Sequence, residues 1–216
     1  MAVLTIIKAG DPVLKATAKP VTKVNKHIKK LLDDMAETMY AAEGVGLAAP
    51  QVNESLQLIV LDDGNGLIEL INPEILEKSD ETNVDTEGCL SIPGYYGKVE
   101  RASKIKVRSL TRHGKTVIYE PEGFLARIFQ HEIDHLYGHL FIVYSQPDKQ
   151  RGRGKKVTFS PVKEKALELG IPVFQPDSMR SDDVIEQLRS LAPDVIIVIA
   201  YGKILPKSVL DIPKYG

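Results

Sequence analysis

The stretch His131-Glu132-Ile133-Asp134-His135 constrains this chain more than any other. Two imidazoles four residues apart share one face only on a helix, about one turn apart, where both can converge on a single divalent cation. Glu132, offset by one residue, reaches water at such a cation rather than the cation itself. The surrounding residues agree with a helix over 123–142, since Leu125, Ile128, Phe129, Ile133 and Leu136 recur at helical spacing. A surface helix that happens to hold two histidines and two acids is the bland alternative. A catalytic site of this type uses three protein ligands and an open position, so a third ligand must come from elsewhere in the chain.

Four candidates for that ligand stand in the sequence. His139 follows His135 by four residues, whereas the familiar extension of the motif needs a histidine at 141, which is Phe141. Glu164 is the first glutamate after the motif, with Glu168 beyond it, and either would make the site that of a metalloprotease. Cys89 is the better candidate. It is the only cysteine, so no internal disulfide claims it, and it lies in Glu87-Gly88-Cys89-Leu90-Ser91 between expected strands. Thiolate is a strong ligand for a borderline cation, and a Cys-His-His set leaves a tetrahedral site open to one water, which by default reads as zinc.

The rest of the first 143 residues reads as an α+β domain. Ile28, Leu31, Leu32, Met35 and Met39 mark a helix over 25–43, with Asn25 placed to cap it, Gly44 to end it and both methionines in the core. Strand signals cover 58–61, 67–71, 105–110 and 116–119, the last two joined by a turn in which Gly114 supplies the permissive backbone. Between helix and strands, Gly44-Val45-Gly46-Leu47-Ala48-Ala49-Pro50-Gln51 reads as a helix-ending loop with a tight wall, where main chain can run beside a ligand. Gln51 is the one side-chain amide there able to donate to a developing oxyanion.

Charge and hydropathy remove other classes. Twenty-eight Lys+Arg against 29 Asp+Glu give a formal charge of −1, which provides no global field for nucleic acid. The longest apolar run, 195–200, is far short of the ~20 residues of a membrane helix. The first residues lack the charged start and cleavage site of a signal peptide, and the expected compartment is the cytoplasm.

Three ordered motifs together resemble the peptide deformylase family over residues 1–142. Gly44 to Gln51 matches its G-x-G-L-A-A-x-Q, Glu87 to Ser91 its E-G-C-L-S, and Gln130 to His135 its Q-H-E-x-D-H. The resemblance implies that Cys89, His131 and His135 bind one divalent metal, usually ferrous iron with nickel, cobalt or zinc also accepted. It implies Glu132 as the acid/base, Gln51 with the Leu90 backbone N–H as oxyanion donors, and Gly46 lining the substrate groove. Val45 and Ile128 are candidate walls for a methionine side chain. The implied reaction removes the formyl group from N-formylmethionyl peptides and nascent chains, releasing formate. An inactive, ribosome- or tRNA-associated binding module is the alternative of another class.

From Tyr144 onward the chain resembles methionyl-tRNA formyltransferase instead. Gly152-Arg153-Gly154-Lys155-Lys156, Ser160-Pro161-Val162-Lys163, Val173-Phe174-Gln175-Pro176 and Ala200 to Pro206 carry this likeness. The family's opening strand and helix are missing, as is the Asn-x-His region of its catalytic site. Residues 144–216 are therefore expected to be a partial, Rossmann-like α/β segment without catalysis, with helices over 161–169 and 182–191. Residues 194–200 are expected to form a strand buried on both faces. The basic stretch 149–156, five positive charges in eight residues, reads as an exposed, solvated loop rather than a tRNA contact.

Overall fold

The computed structural model describes residues 2–9, 11–138, 143–151, 156–168, 173–191, 193, 195–199 and 201–213. After a 3₁₀ turn at Pro12–Lys15, helix α1 spans Lys26–Ala41, and its start is set by Asn25, whose side chain accepts the Ile28 N–H at 3.0 Å. Met35 and Met39 are fully buried on its inner face. Asp34 is buried there too; the Lys30 ammonium beside it holds its carboxyl below the ordinary range, against the opposing effect of burial, and the Ala2 N–H adds a bond at 2.9 Å.

The strands that follow are β1 (Gly46–Ala48), β2 (Leu58–Leu61), β3 (Ile68–Lys78), β4 (Thr82–Cys89), β5 (Ile92–Ala102), β6 (Ile105–Leu110) and β7 (Thr116–Tyr119). Helix α2 spans Gly123–Leu136. Beyond it come β8 (Val143–Tyr144), β9 (Lys149–Arg151), β10 (Lys156–Thr158), α3 (Pro161–Glu168), β11 (Val173–Phe174), α4 (Asp182–Ser190) and α5 (Lys207–Leu210). The content is mixed α+β with antiparallel sheets, as expected.

Contacts divide the chain into two units, Met1–Asn83 with Arg101–Leu140, and Val84–Glu100 with Phe141–Gly216. Within the second unit β5 pairs with β11, Lys98 opposite Val173, and the two share a sheet.

The first unit is built on an antiparallel sheet in the order β1-β2-β3-β6-β7. Its core joins Ile59, Leu61, Leu70 and Val107 of the strands to Ala126, Phe129, Ile133 and Leu136 of α2. These α2 positions recur at three- and four-residue spacing, so one stripe of the helix lies against the sheet. Burial of a Phe or Leu side chain contributes roughly 1.5–3 kcal/mol, and Phe129 and Leu136 are fully buried.

Several boundaries depart from the sequence reading. Residues 46–48, expected as loop, form edge strand β1 with Gly46 opposite Leu61 and Ala48 opposite Ile59. Strand β3 continues past Pro73 to Lys78, its ladder to β6 shifting register after Ile71. Asn72 sits at that shift with φ +52 and exchanges side-chain hydrogen bonds of 2.7 and 2.8 Å with the Val21 backbone. Helix α2 stops at Leu136 rather than 142, because Gly138 takes φ +66 with its Cα face against the Lys15 carbonyl. Residues 139–142, including His139, Leu140 and Phe141, lie outside the described residues.

The second unit holds a sheet in the order β4-β5-β11-β8, in which β11 runs antiparallel to β5 and parallel to β8. Helix α3 lies in the connection between the parallel pair. Met179, Val184, Ile185, Leu188 and Val209 form one small core, and Ala166, Leu167 and Val173 another. The basic stretch is not simply a loop: β9 and β10 pair antiparallel, with 152–155 outside the described residues. The buried strand expected at 194–200 does not form. Residues 195–199 join no ladder, and Val195, Ile197, Val198 and Ile199 are 54%, 80%, 50% and 72% exposed, while Ile196 packs on the larger small core. A two-faced apolar strand needs parallel neighbours on both edges and helices on both faces, and a sheet with one parallel pair supplies neither. Asp194 and Ala200 lie outside the described residues.

The end of α2 is a checkable point. A Cβ on Gly138 would stand 2.5 Å from the Lys15 carbonyl carbon and 3.1 Å from the Ala16 nitrogen, at a left-handed φ. Gly138→Ala is expected to lose about 2–4 kcal/mol of stability in urea unfolding, combining αL strain with overpacking. Gly114→Ala, at φ +74 with open space around it, is expected to lose about 1 kcal/mol from strain alone.

Candidate metal centre

Helix α2 presents three different stripes. Ala126, Phe129, Ile133 and Leu136 face the sheet. His131 and His135 occupy a second stripe, with ring centroids 5.1 Å apart and planes at 76°. Arg127, Gln130 and Asp134, spaced three and then four residues apart, make a polar third.

The histidine stripe meets the one cysteine. One ligand atom each from Cys89, His131 and His135 lie within 4.8 Å of one another, and no other such group of His, Cys, Asp and Glu occurs among the described residues. Bonds of ~2.0–2.3 Å place the donors of one tetrahedral cation roughly 3.3–3.6 Å apart, so this cluster needs little adjustment to close on a metal. His135 is buried, while Cys89 and His131 are half-buried. One thiolate and two imidazoles are the donor types that borderline divalent metals take. Glu164 has no part in the cluster, and the side chain of Glu168 lies outside the described residues. Cys89 is the last residue of β4 rather than part of a connection between strands. A glutamate, aspartate and glycine in β4 weaken the strand signal that sequence reading relies on.

Glu132 is 4% exposed and lies against the backbone of β1. A Cβ built on Gly46 would stand 2.8 Å from both Cγ and Cδ of Glu132. Gly46 is thus required by a close approach of strand and carboxylate, a more specific reason than a permissive turn. Directly after β1, a 3₁₀ turn at Ala49–Val52 carries Gln51, which is 1% exposed. Its Oε1 accepts the Ala48 N–H at 2.8 Å, which fixes the amide with its nitrogen as the end that donates elsewhere. Ile128 is 4% exposed in the core and precedes His131, Glu132 and His135 by three, four and seven residues, so it shares their side of α2. Val45, just before β1, is 44% exposed, and Leu90 is half-buried in the turn after β4.

Sequence reasoning assigned no role to the polar stripe. Arg127 is 3% exposed and donates to the Asn83 backbone carbonyl at 3.0 Å. Gln130, also 3% exposed, closes a two-way bond with Ala102, accepting its N–H at 3.2 Å and donating to its carbonyl at 3.0 Å. Arg101 Nη1 donates to Asp134 Oδ2 at 2.5 Å. The available signal was a glutamine and an arginine at positions where an amphipathic helix is otherwise apolar.

The family profile described as polypeptide deformylase matches residues 3–151, and that of formyl transferase matches 117–216, beginning well before residue 144. A peptide deformylase of Carboxydothermus hydrogenoformans is 54% identical over 153 residues, covering 71% of this chain and 100% of that protein. The crystal structure of peptide deformylase from Thermotoga maritima superposes with TM-score 0.63 at 51% identity, over 64% of this chain and 94% of that one. A Met-Ala-Ser-bound class I type b peptide deformylase from Acinetobacter baumannii gives TM-score 0.62 at 41% identity, covering 64% of this chain and 96% of that one.

The contact between β1 and Glu132 yields a direct test. Gly46→Ala is expected to displace the Glu132 carboxylate and destabilise the chain by about 1–3 kcal/mol in urea unfolding. Cobalt(II) titrated by its thiolate absorption is expected to bind as before, since the atoms nearest the new methyl group belong to Glu132, which is not one of the three donors. Unchanged stability would show that strand and glutamate separate freely.

Proposed function

Since the chain belongs to the peptide deformylase family, it is a metal-dependent hydrolase of N-formylmethionyl peptides, and we propose that Cys89, His131 and His135 hold its cation. The observation that carries this reading is the convergence of one sulfur and two nitrogen donors beside a buried glutamate. A bound divalent cation supplies Lewis acidity there, lowering the pKa of water toward ~7. By the family resemblance that cation is ferrous iron, with zinc, nickel or cobalt able to replace it.

Glu132 accepts the proton of the water that adds to the formyl carbon and returns it to the leaving amine nitrogen as the C–N bond breaks. The products are formate and a peptide with a free amino-terminal methionine. Its position against Gly46 keeps the carboxylate dry and still. The Gln51 amide nitrogen and the Leu90 N–H stabilise the oxyanion, and loss of one such donor typically costs ~100–1,000-fold in rate. Gly46 runs along the substrate main chain, and Val45 with Ile128 borders the methionine side chain. The Met-Ala-Ser ligand of the Acinetobacter baumannii relative supports a methionine-first peptide as the occupant.

The substrates are nascent chains in the cytoplasm; no described helix is long and apolar enough to cross a membrane. Residues 144–216 form a non-catalytic, partial Rossmann-like segment of formyltransferase type, without tRNA contact through 149–156. The profile match over 117–216 and the parallel pair β8/β11 support this reading.

Three experiments test the assignment. Glu132→Gln is expected to retain its metal and lose ~100–10,000-fold in formate release from formyl-Met-Ala, the usual worth of a positioned acid/base. Cys89→Ala is expected to lose the metal itself; a chain that still held it would point to a glutamate ligand and a protease-type site. A chain ending at Tyr144 is expected to keep formate release, because every assigned residue precedes position 136. It removes the β11 partner of Lys98, however, and joint loss of metal and of the thermal transition would show that residues 144–216 are structural.

A further inference from the structure

The Arg127–Gln130–Asp134 stripe of α2 is bonded at each position to backbone or side chain from the β4 and β5 strands: Asn83, Ala102 and Arg101 in turn. Gln130 and Asp134 each immediately precede a metal-site histidine, and Arg101 and Ala102 are the last two residues of β5. Two adjacent strand residues therefore grip α2 at points one turn apart, directly beside the donor stripe.

From this we infer that Arg101 is a positioning residue for the hydrolysis: through Asp134 it sets the rotation of α2 about its own axis. The inference rests on the deformylase reading of the site. Apolar packing is non-directional and lets a helix turn slightly against a sheet without large loss. The His131 and His135 nitrogens lie roughly 6–7 Å from the helix axis, so a turn of ~10° moves them by about 1 Å. A misplacement of that size can cost ~100-fold in rate. The Arg101 side chain is 9% exposed and makes a charge-assisted bond of 2.5 Å to an Asp134 side chain that is 36% exposed. A simple surface ion pair has no need of a buried guanidinium, whereas a directional brace does.

The test uses the full chain loaded with nickel or cobalt(II), with Arg101→Met, Asp134→Asn, the double variant and Arg101→Lys. The single variants are expected to lower kcat for formyl-Met-Ala about 10–100-fold, with KM little changed, and to weaken cobalt(II) affinity about 10-fold. Their cobalt–thiolate absorption band is expected to shift, as the donors no longer converge in the same way. The double variant is expected to be no worse than either single one, and Arg101→Lys to recover part of kcat by keeping the charge without the planar fork. Lower stability in urea with unchanged kcat, cobalt affinity and absorption band would overturn the inference and leave a structural ion pair. Should Arg101→Met fail to fold, Asp134→Asn and Arg101→Lys carry the same readouts. A wild-type chain that binds cobalt but releases no formate would instead refute the deformylase reading, while the cobalt spectra still decide the role of Arg101.

Discussion

Packing of the apolar stripe of α2 onto the β1-β2-β3-β6-β7 sheet underlies everything that the site does. Phe129, Ile133 and Leu136 must be buried against the sheet, and the same packing brings the neighbouring Glu132 against Gly46 of its edge strand β1. Once that face is chosen, helical geometry sets the side of α2 on which His131, Glu132 and His135 emerge. The close approach of β1 to Glu132 is possible because position 46 lacks a side chain. A single methyl group there would occupy the space that the carboxylate now fills. Site and core are thus parts of one packing solution.

The two kinds of contact on α2 do different work. Apolar burial supplies most of the free energy that keeps the helix on the sheet, at roughly 25 cal/mol per Å². The polar stripe adds little net energy, since each bond replaces one made to water. Its contribution is direction. Gln130 both accepts from and donates to the Ala102 backbone, and the buried Arg101 guanidinium meets the Asp134 carboxylate. Buried polar groups that are fully paired specify one arrangement among several of similar packing energy.

The second unit is organised on a smaller scale. Two cores of a few residues each and a sheet with one parallel pair bury much less apolar surface than the first unit does. Lys163 is buried there, bonded at 2.5 Å to both Asp148 and Gln175 and lying 4.1 Å from the Phe159 ring centroid. Such an ammonium is tolerated because its donors and its charge are both answered. Residues 195–199 keep their apolar character without a strand to join, so hydrophobic side chains remain in contact with water. An apolar β-prone run left in this state is an aggregation hazard, and the two nearby cores are too small to absorb it.

How much of this was readable in the sequence follows from the range of the forces involved. Local interactions determined α1 with its Asn25 cap, strands β2, β6 and β7, and helices α3 and α4, each within two residues of its expected bounds. The HExxH spacing is also local, which is why the two histidines and Glu132 could be identified without a fold. Cys89 was legible as a thiol without another role. Only the tertiary structure decided that its sulfur meets the imidazoles, since more than forty residues of chain separate them. It also decided that residues 46–48 pair as a strand, that α2 ends where Gly138 meets Lys15, and that residues 195–199 find no sheet. Where a partner decides, it is distant along the chain, and periodicity carries no information about distant partners. Gln130 and Arg101 belong to the same class: their residue types were visible, but their role exists only where the end of β5 and the polar stripe of α2 come together.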